Sequence, residues 1–80
     1  MEISLHNVES VLRATKEPLT ASEILSFLGK EATKENSFIL DSLCKYSVNV
    51  NHRYRMTGNG ICSEYQYHVD LANAKQAVQL

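Results

Sequence analysis

The sequence predicts an α+β domain of three helices followed by a two-stranded antiparallel hairpin and a short C-terminal helix. Three observations predict it. Through residue 46, apolar residues recur at spacings of three and four, the period of a helix with one buried face. From Val48 the period becomes two, as in a strand with one wet face. Within that second region Gly58-Asn59-Gly60 reads as a hairpin turn, because glycine and asparagine tolerate positive φ angles.

In the first helix, residues 4–16, Leu5, Val8, Val11 and Leu12 form the core stripe. The Glu17-Pro18 step stops it, since a proline disfavours the helical region for the residue before it and cannot extend the hydrogen-bond ladder. Pro18 and Leu19 make a short extended link. Thr20 and Glu23 have the Thr-x-x-Glu spacing of a capping box, so a second helix starts at Ala21, with Ile24, Leu25 and Leu28 inward and Gly29 closing it in the left-handed conformation. Thr33 caps a third helix, residues 34–46, whose buried face is read as Ile39, Leu40 and Leu43, widened by Phe38. A short helix, a turn at residues 29–32 and a longer helix make a helix-turn-helix pattern.

In the hairpin, Val48, Val50, Tyr54 and Met56 alternate with Asn49, Asn51, Arg53 and Arg55. Ile61, Tyr65, Tyr67 and Val69 then alternate with Cys62, Glu64, Gln66 and His68. Residues facing each other across a hairpin share a face, and a one-residue slip inverts one strand. Pairing Met56 with Ile61 meets that condition. It sets Val50 against Tyr67, Val48 against Val69 and Arg53 against Glu64, and it places His52 opposite Tyr65 as a partly buried, hydrogen-bonded histidine. Asp70 caps a last helix over residues 71–79, a candidate surface for packing on the first helix or on a second copy.

Eighty residues make a single domain, 1–80, since a chain this short buries only about 60% of its unfolded surface. With 44% hydrophobic and 21% charged residues it has the composition of a globular domain and not of a disordered tail. No apolar run approaches the roughly 20 residues that span a bilayer, and the start lacks signal-peptide character, so a cytoplasmic protein without a membrane partner is expected. Cys44 reads as a small buried residue and Cys62 as a strand residue, both reduced.

Enzymatic chemistry requires convergent groups, such as a nucleophile beside a base or a glycine loop opening a helix, and none is legible here. The expected activity is therefore not enzymatic. His6, His52, His68, Cys44 and Cys62 lack metal-ligand spacing, so neither a metal nor another cofactor is expected.

A helix-turn-helix needs only a helix that buries one face and presents hydrogen-bonding side chains to base edges on the other. The third helix offers Lys34, Ser37, Asp41 and Lys45 outward, with Asn36 near its groove-facing end. Arg53 and Arg55 on the hairpin and Lys30 in the preceding turn are candidate phosphate contacts, with Asn49 and Asn51 extending the hairpin's wet face. The DNA-binding set is thus Lys30, Lys34, Asn36, Ser37, Lys45, Arg53 and Arg55. Against it stand a net charge of −1 and the acids Glu31, Glu35 and Asp41.

The order helix, short strand, helix, turn, helix, hairpin resembles the winged helix-turn-helix superfamily of bacterial transcription regulators. The segments Pro18-Leu19-Thr20-Ala21-Ser22-Glu23-Ile24-Leu25 and Leu40-Asp41-Ser42-Leu43-Cys44-Lys45-Tyr46 look like its second and third helices. Residues 18–70, with Gly58-Asn59-Gly60-Ile61-Cys62 and Tyr67-His68-Val69-Asp70-Leu71, are similar to the CaiF/GrlA type of enterobacterial activator, although shorter and with one cysteine near the turn. Small fimbrial regulators of the PapI and FaeA type are similar in size. The resemblance implies a regulator that binds double-stranded DNA, with the third helix in the major groove and the wing, residues 48–69, on the flanking backbone. It also implies a homodimer or a partner regulator. The near-neutral charge suggests an alternative: a protein-interaction module or adaptor on the same fold that binds a host or regulatory protein, with Tyr54, Tyr65 and Tyr67 as anchors wherever they are exposed.

Overall fold

The computed structural model describes residues 1–68. Among these residues the chain runs α1 (Leu5–Thr15), β1 (Leu19–Thr20), α2 (Ala21–Phe27), α3 (Lys34–Tyr46), β2 (Val50–Thr57) and β3 (Gly60–Tyr67), an α+β arrangement of three helices and a three-stranded antiparallel sheet. The expected C-terminal helix and the Val48–Val69 pair involve residues outside those described.

Each helix starts where a side chain accepts a free backbone N–H. Ser4 caps α1 through Asn7, and Thr33 caps α3 through Asn36. At α2 both halves of the capping box form: Glu23 accepts from the Thr20 N–H at 2.8 Å, and Thr20 Oγ1 accepts from the Glu23 N–H. Helix α1 ends just ahead of the Glu17-Pro18 step, with Lys16 left-handed at φ 59°. Gly29 takes φ 71° after α2, where a side chain would be strained.

The hairpin register is the one the pattern requires: Val50 faces Tyr67, His52 faces Tyr65, Arg53 faces Glu64 and Met56 faces Ile61. In the turn it is Gly60, at φ 120°, that uses glycine's freedom. Two strands were expected, and the sheet has three. The link after Pro18 pairs with β3, Leu19 against Tyr65 and Thr20 against Glu64, giving the order β1-β3-β2. Two residues carry no periodicity, so the pairing had no signature of its own.

The core gathers Val8, Val11 and Leu12 from α1, Leu19, Ile24, Leu25 and Leu28, Leu40 and Cys44 from α3, and Val50 and Tyr65 from the sheet. Two expectations about burial fail. The apolar face of the hairpin outruns the helices, so Tyr54, Met56 and Ile61 share the correct face yet lie exposed; Val48, before the strand begins, is also exposed. Helix α3 is rotated from the expected orientation by somewhat less than one residue's angular step. Leu40 and Cys44 point fully inward, whereas Phe38 is 73% and Ile39 45% exposed. Two polar ties set that rotation: Tyr65 donates its hydroxyl to Asp41 at 2.5 Å, and Ser47, just past the helix, donates to Glu9. Burial together with the Asp41 carboxylate pushes the Tyr65 phenol well above its usual range, so it remains a donor.

Tyr65→Phe keeps the buried ring and removes the donor. It should lower stability by about 1.5 kcal/mol in urea unfolding, because a partly buried carboxylate loses its hydrogen bond.

Candidate nucleic-acid interface

The rotation of α3 decides which side chains face solvent. Outward are Lys34, Glu35, Phe38, Ile39, Ser42, Lys45 and Tyr46, and Lys34, Glu35, Phe38 and Ile39 line an open hollow. Asp41, expected on the outer side, is turned towards Tyr65. One acid is thereby withdrawn from the surface.

The seven expected contact residues fall into two groups. Lys30, Lys34, Lys45 and Arg53 are exposed. Among the described residues, none of the three lysines enters a salt bridge, and Arg53 makes only a long one, 3.9 Å to Glu64. Asn36, Ser37 and Arg55 are half-buried. The Asn36 side chain donates to the Glu31 carbonyl at 2.9 Å while its backbone N–H is held by Thr33, so it locks the turn before α3. Ser37 lies on the side of α3 that turns inward.

Arg55 ties the hairpin to the start of α2. Its Nε donates to Glu64 at 2.7 Å, one terminal nitrogen donates to the Pro18 carbonyl at 3.1 Å, and the same nitrogen lies 3.3 Å from Glu23. Glu64 and then Glu23 hold the guanidinium still more firmly in its charged form. A side chain so engaged has little left to offer a phosphate.

Sequence reasoning missed Phe38, Ile39, Ser42 and Tyr46 as outer-face residues. A signal for them existed: Cys44 was read as buried, and with Leu40 at i, i+4 it already defines the inward stripe. Among the described residues, no group of three or more His, Cys, Asp or Glu side chains is placed to hold a metal ion, and no helix is long and apolar enough to cross a membrane.

Comparison of the chain with protein-family models, characterised proteins and solved structures finds no match.

Two predictions follow from the Arg55 cluster. In thermal unfolding Arg55→Ala lowers the midpoint, whereas Arg53→Ala leaves it unchanged; equal effects would mean that Arg55 is no tie. The Glu23 carboxyl sits below its ordinary 4.5, chiefly through the Thr20 N–H, which together with Arg55 outweighs the opposing effect of burial. A depressed folded-state pKa adds stability above the unfolded value and loses it as pH falls through the folded one. The advantage of wild type over Glu23→Gln should thus be full at pH 7 and fade below about 4.5 in urea titrations across pH.

Proposed function

We propose that this chain is a winged helix-turn-helix DNA-binding regulator, with α3 in the major groove and the β2–β3 hairpin as the wing along the flanking backbone. One observation carries the reading. The order α1-β1-α2-α3-β2-β3, with β1 and β2 on either side of β3, leaves one long face of α3 uncovered by any other described residue while the hairpin extends past the core. The resemblance to bacterial transcription regulators supports the same conclusion.

In this reading Lys30, Lys34, Lys45 and Arg53 neutralise phosphates, and Asn36, Ser37 and Arg55 hold the reading element in place without touching DNA. A single copy offers a small footprint, so a homodimer or a partner regulator completes the site. The protein acts in the cytoplasm, where the DNA is.

Titration of genomic fragments at low salt tests it. Binding tighter than micromolar is expected, weakening linearly in log–log form as salt rises. Lys34→Ala and Lys45→Ala should each weaken binding on all sequences and reduce the salt slope by about one. Binding no tighter than millimolar on every fragment overturns the reading.

The exposed patch of Tyr54, Met56 and Ile61, at 69%, 78% and 65%, favours a second reading, an adaptor that grips another protein with the end of the hairpin. In that case a protein co-purifying with the wild type is lost on Tyr54→Ser with Met56→Ser, while the thermal midpoint stays where it was and no DNA is retained.

A further inference from the structure

The outer face of α3 has an order of chemistry along it that the general DNA-binding reading does not use. Lys34 and Lys45 stand near its two ends, and Phe38 lies between them on the same line. At 3.6 residues per turn the three fall within about 40° of one another around the axis. The lysines are eleven residues apart, about 16 Å along the helix, comparable with the roughly 12 Å between the rims of a major groove. Phe38 is 73% exposed, and Ile39 stands beside it at 45%. Leaving two large apolar side chains in water next to cations is unfavourable unless something apolar covers them.

The groove floor of a duplex has one apolar group to offer, the C5-methyl of thymine, and aromatic and aliphatic side chains are its ordinary partners. We infer that Phe38 and Ile39 are the specificity-determining residues of α3 and read thymine methyls, with Lys34 and Lys45 clamping the phosphates on the two rims. Glu35, one turn before Phe38 and Ile39, is repelled by phosphate and tolerated where it accepts from the amine of a cytosine. The favoured element therefore pairs thymines with a neighbouring cytosine. The inference rests on the DNA-binding reading above and specifies which groups on the duplex are recognised.

The test starts from duplexes selected by the wild-type protein out of random DNA, remade with each thymine in turn replaced by deoxyuridine, which lacks only the methyl. At the contacted positions affinity should fall about fourfold per methyl, the equivalent of one buried carbon, with the salt slope unchanged. Phe38→Ser, which changes an exposed side chain and should keep the wild-type thermal midpoint, should bind more weakly and be indifferent to the replacement at one of those positions. Four outcomes overturn the inference. Tight binding with no deoxyuridine effect refutes methyl reading and leaves the DNA-binding reading standing. A deoxyuridine effect of equal size in Phe38→Ser assigns it to the duplex itself. Self-association of the free protein that Phe38→Ser abolishes assigns the face to a second copy. Failure of every duplex to bind removes the functional reading and this inference with it.

Discussion

Tyr65 is the point at which the sheet and the helices are fastened together. Its ring is fully buried on the central strand, with Leu19 opposite on one side and His52 stacked on the other at 5.2 Å. Its hydroxyl reaches out of the sheet to Asp41 on α3. A side chain that fills the core and also ends in a donor fixes more than a distance, because the hydrogen bond has a direction and the packing has a shape. With Asp41 drawn inward, Leu40 and Cys44 follow into the core, and the opposite side of α3 has no choice but to face water. Whatever α3 does for the cell is thus decided by a residue on β3.

A similar division governs the charges. Glu64 is only 12% exposed, and a carboxylate so placed requires a partner. Arg55 supplies it, and by reaching on to Pro18 and Glu23 it holds the hairpin against the start of α2. The overall charge of −1 conceals this division of labour. Asp41, Glu64 and Glu23 are committed to internal bonds, as is Arg55, while Lys30, Lys34 and Lys45 remain in solvent. The surface around α3 is consequently less acidic than the sequence suggests.

Much of the fold was legible because its determinants are local or periodic. The caps at Thr20 and Thr33 are set within four residues, and the hairpin register follows from a period of two that tolerates no slip. The β1 strand was not legible: a pair of residues has no period, and its partner lies more than forty positions away. The orientation of α3 was misread because Phe38 and Ile39 look like core by hydrophobicity, whereas Asp41 looks like surface by charge. A hydrogen bond from a distant tyrosine reverses both. The same gap separates the basic residues. Arg53 and Arg55 are indistinguishable in a sequence, alternate positions on one wet face, and only the position of Pro18 and Glu23 beside the sheet makes one of them structural.

The strand order β1-β3-β2 also leaves backbone unclaimed. Strand β1 covers only Tyr65 and Glu64, so among the described residues neither the side of β3 from Gly60 to Ser63 nor the far side of β2 has a partner strand. Such open edges are templates on which a second chain can add a strand, and proteins that stay soluble guard them with charge and twist. Here the guard is thin, since Tyr54, Met56 and Ile61 add an apolar surface beside the unpaired amides. Arg53 and Arg55 are the cations stationed on β2, and Arg55 is bound inward. Arg53 is therefore the cation of β2 that stays in solvent, where charge opposes edge-to-edge pairing of one hairpin with another.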